Sequence, residues 1–146
     1  MKFDVIIIGA GQAGLTTAVS LRQKGYVGSI LLIGDENILP YQRPPLSKGF
    51  INENLPDERL LLKSKTYFVK KKIDLLINHV VTDIDRDKKC IKVDSLKEYS
   101  YSKLVICTGS SLRRLDLNTN KENIHYLRTI EDSRTIRTTL DSKKKI

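Results

Sequence analysis

Six residues near the start of the chain, Gly9-Ala10-Gly11-Gln12-Ala13-Gly14, fit the pattern G-x-G-x-x-G. The chemistry such a run offers is phosphate binding by the main chain. Gly9 permits a tight turn, Gly11 lets the backbone come close to a pyrophosphate, and Gly14 lets a helix pack tightly on a strand. A helix starting there turns free N–H groups and the positive end of its dipole towards an anion. The pattern by itself is common. Its context gives it weight: a buried strand before it, a helix after it, and an acid about 20 residues further on. The acids here are Asp35 and Glu36, which can accept from ribose hydroxyls and would repel a 2′-phosphate. That argues against NADP at this site. Further on, Leu39-Pro40-Tyr41-Gln42-Arg43-Pro44-Pro45-Leu46-Ser47-Lys48 carries two cations. Its prolines are expected to stiffen an extended stretch and hold Arg43 and Lys48 at fixed separation.

The elements that must position these residues can be read from hydrophobic pattern. Phe3 to Ile8 is a continuous, largely β-branched run ending at glycine, as expected of a strand buried on both faces of a parallel sheet. Residues 13–24 place Leu15, Ala18, Val19 and Leu21 at helical spacing, with Gly25 as the stop. Ser29 to Gly34 is a second buried strand, which completes a right-handed β-α-β unit. Residues 36–50 read as irregular. A short helix follows from Ser64 to Lys71, with Ser64 as its N-cap, and then a brief parallel strand at Leu75-Leu76-Ile77. Three segments, Val80 to Asp85, Cys90 to Val93 and Glu98 to Tyr101, predict an antiparallel meander. Leu104 to Cys107 reads as a further buried strand, ending at Thr108-Gly109-Ser110. Ile124 to Leu127 is expected to pair briefly, and Thr129-Ile130-Glu131-Asp132 opens a last helix with capping-box chemistry. The fold class is α/β, a parallel sheet plus a small antiparallel β-meander.

Composition narrows the classes of function. The chain has 146 residues, 40% of them hydrophobic, which suits one domain with a core and excludes a disordered or low-complexity chain. No stretch approaches the roughly 18 apolar residues of a membrane helix, and no secretory signal is expected, so the reading is a cytoplasmic protein away from membranes. Cys90 and Cys107 form neither C-x-x-C nor a metal-ligand cluster, which disfavours a redox dithiol or a metal site. A net charge of +9 and a pI near 9.6 could mark a nucleic-acid binder. The excess is mostly lysine, however, scattered apart from runs at 70–72 and 143–145. Interleaved aromatics and a reading helix are missing, so no nucleic-acid partner is expected.

The glycine turn does not settle which dinucleotide binds. The segment from Arg43 to Lys48 does, because it resembles the signature of the flavin-dependent ferredoxin and rubredoxin reductases, a family related to apoptosis-inducing factor. The resemblance runs through Val5 to Gly9, Gly34-Asp35-Glu36, Leu104 to Gly109 and Tyr126 to Asp132, and so covers nearly the whole chain. It implies a Rossmann-like FAD/NAD(P)-binding three-layer fold, with FAD as the cofactor. Gly9, Gly11, Ala13 and Gly14 would then hold the pyrophosphate, and Asp35 with Glu36 the adenosine ribose. Val81 would offer main-chain contacts to adenine, and Arg43 and Lys48 would reach the flavin side. Thr108 and Gly109 would re-approach the cofactor, and Arg128 matches the family's FAD-contacting arginine. Two positions depart from the pattern: Cys107, where alanine is commoner, and Ser111-Leu112-Arg113-Arg114, in place of a Pro-Arg pattern. No catalytic side chain is implied, since the cofactor does the chemistry.

The family's activity would be NAD(P)H-dependent electron transfer to a small iron–sulfur protein, ferredoxin or rubredoxin. In such enzymes a second glycine fingerprint binds NAD(P)H, and these 146 residues hold only one. The expectation is therefore residues 1–112 as the first part of an FAD-binding domain and 113–146 as a connecting segment and helix. The fold would be incomplete, the chain truncated and not catalytic alone. The alternative is a non-catalytic dinucleotide-binding module, or one subunit of a split flavoenzyme with a complementing chain as partner.

Overall fold

A computed structural model of the chain describes residues 1–53, 55–116 and 124–143. The end of the lysine run at 143–145 lies outside the described residues. Along the chain run β1 (Lys2–Ile8), α1 (Gln12–Gln23), β2 (Ile30–Gly34), α2 (Gly49–Asn52), α3 (Lys65–Lys70), β3 (Ile73–Ile77), β4 (Val81–Asp85), β5 (Cys90–Val93), β6 (Lys97–Ile106) and α4 (Ile130–Lys143). Short 3-10 turns lie at Pro44–Ser47 and Asp57–Arg59. Two compact units result, one of residues 1–41 and 62–109, the other of residues 42–61 and 110–146. No helix among the described residues is long and apolar enough to cross a membrane.

The first unit is a six-stranded sheet in the order β3-β2-β1-β6-β5-β4. β1 pairs in parallel with β2 and β6, and β2 in parallel with β3, while β4, β5 and β6 form the antiparallel meander. The α/β class is therefore as the sequence pattern implies. β1 is buried on both faces, and its alternating side chains feed two cores. Val5 and Ile7 join Leu15 and Ala18 of α1, Ile30 and Leu32 of β2, and Phe68 of α3. Ile6 and Ile8 join Leu31 and Ile33 of β2 with Ile91, Val93 and Tyr101 of the meander. Three layers follow from this alternation: helices, parallel strands, and a meander folded across the other face.

β6 corrects the sequence reading. The third meander strand and the Leu104–Cys107 strand are one continuous strand, antiparallel to β5 over Lys97–Ser100 and parallel to β1 as far as Ile106. Ser102 and Lys103, which looked like a break, lie on opposite faces of the strand and are both exposed, where polar side chains cost nothing. Its end is also less buried than expected, with Ile106 62% exposed. Two further details differ. β3 begins at Ile73, before the predicted Leu75. Ser64 does stand at the N-cap of α3 with extended backbone, but its hydroxyl bonds Thr66 Oγ1 at 2.9 Å and makes no capping bond.

In the second unit, α4 packs on the segment around Leu46 and Phe50. Ser133 is fully buried and its hydroxyl donates to Leu46 O at 2.8 Å. The Arg137 guanidinium lies 5.5 Å from the Phe50 ring centre, and Arg134 pairs with both Asp57 and Glu131. The proline stretch is not extended. Pro44 and Pro45 open a 3-10 turn, with Arg43 in helical backbone at φ −79, ψ −32. Proline suits the first turn of a helix because it has no N–H to leave unpaired. Burial of Leu46, at 2% exposure, rewards the turn. Ile124–Leu127 does not pair as a strand. Instead, the Tyr126 hydroxyl accepts from Leu115 N–H at 3.0 Å, with the Arg114 guanidinium over its ring.

Arg22 fastens the first unit below the sheet. Its guanidinium donates to four main-chain carbonyls, those of Tyr26, Gly28, Lys71 and Lys72, at 2.6–2.8 Å. A planar fork can serve all four at once, whereas an ammonium cannot. Arg22→Ala is expected to cost about 2–3 kcal/mol in urea unfolding, with Arg22→Lys recovering less than half.

Candidate functional site

The phosphate-type turn is set by two contacts with no clearance. A Cβ on Gly14 would stand 1.9 Å from Gly9 O, and one on Gly9 would stand 2.2 Å from Cys107 O. Gly9 also has φ +105, a conformation that side-chain-bearing residues rarely adopt. Both glycines are thus demanded by the protein's own packing. Gly11 is different. A Cβ there would meet nothing within 4 Å, and its φ of −82 is open to any residue. The protein makes no packing use of the missing side chain, so the cleared space is available to a ligand.

Gly11 is also the N-cap of α1, and it supplies no side-chain capping bond. The first turn of α1 carries no acid. The first N–H groups of an α-helix have no partner within the helix. The start of this 12-residue helix, with Gln12 and Ala13 exposed, therefore presents free donors and an uncompensated positive dipole end.

The other candidates of the first unit gather at the same ends of the parallel strands. Cys107 N–H donates to Ile8 O at 2.7 Å, which sets Thr108 and Gly109 beside Gly9. Gly34 lies against Ala10, bringing Asp35 and Glu36 close to the turn. Asp35 is exposed and Glu36 half-buried. The chain after β3 is drawn to the same place, because Asn78 N–H donates to Glu36 O and His79 N–H to Gly34 O, both at 3.1 Å. That path leads directly into Val81. Ligand sites in open α/β sheets form at these carboxyl ends of strands.

Arg43, Lys48 and Arg128 belong to the second unit. Arg43 Nη1 donates to Arg128 O at 2.6 Å, so the Arg43 guanidinium is held against the main chain of Arg128. Lys48 is exposed, and its N–H closes the 3-10 turn on Pro45 O at 3.0 Å. Arg128 is anchored through its own main chain. Asp132 Oδ2 accepts from the N–H of Arg128 at 2.9 Å and of Thr129 at 2.7 Å, while Thr129 Oγ1 accepts from Asp132 N–H at 3.2 Å. This is the expected capping box, with aspartate as its acid.

Three residues at these places had no sequence signal as site residues. Tyr41 donates its hydroxyl to Glu36 Oε2 at 2.6 Å. Asp94 binds Val80 N–H at 2.9 Å and the His79 ring, bracing the chain ahead of Val81. Val80 N–H, and then His79, hold the Asp94 carboxyl below its ordinary range. Only positive φ at Asp94 and Ser95, in a turn without glycine, sets that corner apart. Such turns favour Asp and Asn, which is the cue that could have found it.

With this geometry in place, comparison with known proteins is decisive. Residues 3–146 match the family described as pyridine nucleotide-disulphide oxidoreductase. The chain belongs to this family. Within the pyridine nucleotide-disulphide oxidoreductases it is 37% identical over 134 residues to the rubredoxin-NAD(+) reductase of Pseudomonas putida, covering 91% of this chain and 35% of that protein. Its fold matches putidaredoxin reductase in a covalent complex with putidaredoxin, with a TM-score of 0.87 and 34% identity over 94% of this chain and 34% of that one. It also matches NADH:rubredoxin oxidoreductase from Clostridium acetobutylicum, with a TM-score of 0.88 and 26% identity over 98% and 37% of the two chains. The resemblance read from the sequence is thus borne out, including the Rossmann-like fold. Ferredoxin reductases of this family are FAD-dependent flavoproteins. The chain spans about a third of the length of these relatives.

Outcomes of two kinds follow from the site, the first concerning stability at the two glycines. Gly14→Ala is expected to lose about 3 kcal/mol or more in denaturant unfolding, as backbone must move to admit the methyl. Gly11→Ser, which gains a cap in open space, is expected to be as stable as the parent or up to about 1 kcal/mol more stable. The second concerns pH. Burial works to raise the Asp132 pKa, but the Thr129 and Arg128 hydrogen bonds and the Arg114 charge outweigh it and leave it below the ordinary 3.8. A carboxyl lowered in the folded state contributes stability that is full above 3.8 and is lost as pH falls through the folded value. Melting followed by circular dichroism should show a steeper loss below pH 3.8 in the parent than in Asp132→Asn.

Proposed function

We propose that this chain is the FAD-binding portion of an NAD(P)H-dependent ferredoxin or rubredoxin reductase. The observation that carries the reading is the start of α1: an uncapped helix terminus, a glycine with empty space where its side chain would be, and two carboxylates at the neighbouring strand end. Those features suit a dinucleotide pyrophosphate and ribose.

The roles divide along the molecule. Main-chain N–H groups at Gly11, Ala13 and Gly14 take the pyrophosphate across the space over Gly11. Asp35 and Glu36 accept from the adenosine ribose, and their charge disfavours a 2′-phosphate. Main chain at Val81 flanks the adenine. Gly9, Thr108 and Gly109 keep the turn and the end of β6 near the phosphates. Arg43 and Lys48 would reach the flavin side and Arg128 would contact the FAD, their positive charge suiting an anionic cofactor. The bound flavin supplies acceptance of a hydride from NAD(P)H and delivery of single electrons to a small iron–sulfur protein. The relatives named for rubredoxin and putidaredoxin support that class of acceptor. Residues 1–112 form the first part of the FAD-binding domain, and 113–146 the connection from it.

The test is flavin binding by the purified chain. Added FAD should lose fluorescence on titration, and Gly11→Ser should weaken binding at least about tenfold without loss of stability. Unchanged flavin fluorescence with the parent chain would sink the reading. With FAD and NADH supplied, the 146-residue chain should show no steady-state reduction of ferricyanide, since it carries one glycine fingerprint. Clear turnover would overturn that part.

A further inference from the structure

We propose that Tyr41 is a positioning residue for nucleotide recognition, which it exerts by fixing the Glu36 carboxylate against the ribose hydroxyls. The inference rests on the proposed dinucleotide site and adds to it a residue outside the glycine turn and the strand-end acids. Tyr41 is 6% exposed, so its phenol has left water. A buried hydroxyl needs a partner, and here it donates to Glu36 Oε2 at 2.6 Å. That is the length of a charge-assisted O–H···O⁻ bond. The neighbouring Pro40 is itself fully buried, and its carbonyl accepts from Leu62 N–H at 2.9 Å. The phenol is therefore mounted on a fixed piece of backbone.

Glu36 is constrained from the other side as well. Its carbonyl accepts from Asn78 N–H at 3.1 Å, on the path that leads to Val81. Main chain and side chain of this glutamate are thus both held, by different parts of the first unit. Glutamate is a flexible side chain that loses rotamer freedom on binding. A carboxylate already held by one oxygen loses less of it when a ribose arrives. An ionised carboxylate has about four acceptor positions, so a bond to the phenol does not stop it accepting from a hydroxyl. The consequence is selectivity for a hydroxyl at the 2′ position, since the fixed acceptor cannot swing away when that hydroxyl is missing.

The probes are ADP and 2′-deoxy-ADP, titrated calorimetrically into the full chain. The parent is expected to prefer ADP. Tyr41→Phe, which removes only the hydroxyl, should weaken ADP about three- to tenfold and leave 2′-deoxy-ADP within about twofold, so the preference collapses. Glu36→Gln should lose the same preference, and the double variant should be no worse than either single one, as for residues acting as a unit. Tyr41→Phe that keeps the preference, or that weakens both ligands equally, overturns the proposal and assigns the hydroxyl a purely structural role. Glu36→Asp leaves the core ring untouched and withdraws the carboxylate from the phenol. It too should lose the preference, and retention there overturns the proposal even if Tyr41→Phe fails to fold. A parent chain that binds neither nucleotide defeats the dinucleotide reading and this proposal with it, whereas one that binds both alike defeats the proposal alone. A preference lost in Glu36→Gln but kept in Tyr41→Phe defeats the proposal alone.

Discussion

The close approach of Gly14, at the start of α1, to the carbonyl of Gly9 sets the geometry of what surrounds it. Main chain rests on main chain there, with no room for even a methyl group. Because the helix can come that near, its axis begins directly over the end of β1, and its first N–H groups emerge at the carboxyl ends of β1, β2 and β6. Cys107 O pressing on Gly9 fixes the third of these strands in the same corner. Distances of this kind leave few alternatives, since packed interiors yield in steps and resist continuous deformation. The positions of Asp35, Glu36 and the approach to Val81 are downstream of that contact.

The two long helices are finished in opposite ways. α4 begins with a reciprocal capping box, in which Thr129 Oγ1 accepts from Asp132 N–H and the Asp132 carboxylate accepts from Thr129 N–H, and its first turn carries two acids, Glu131 and Asp132. α1 begins with a bare glycine and no acid. By the ordinary rules of helix stability α1 is the poorer start. A chain that caps one helix fully has the means to cap another, and local rules are most often broken where function requires it. The contrast supports the start of α1 as the place proposed for an anion.

Much of this was legible in the residues. The β1–α1–β2 unit could be read because local pattern and tertiary environment agree: β-branched residues run without interruption where both faces are buried, and glycines stand where packing forbids a side chain. The readings failed where tertiary context outweighed local preference. Ser102 and Lys103 look like the end of a strand, yet both are exposed in β6, and water tolerates them there. Pro44 and Pro45 look like an extended stretch, yet a buried Leu46 draws them into a turn. At the site, the glycines and acids were visible because their spacing in sequence is itself the signal. The partnership of Tyr41 with Glu36 was not. Five residues apart in an irregular segment, they meet where the backbone on either side is held by Asn78 and Leu62, much later in the chain.

β6 has a consequence of a different kind. It is one uninterrupted strand that begins in the meander and ends at Ile106, two residues before Thr108 and beside the glycine turn, so its residue count acts as a ruler between the two regions. Inserting or deleting one residue around Ser102 would exchange its inner and outer faces and displace Thr108 and Gly109 by about 3.3 Å. Loops elsewhere in the chain can drift in length over time with little effect. This strand cannot, and its ten residues are a fixed quantity on which variation among related chains should leave almost no mark.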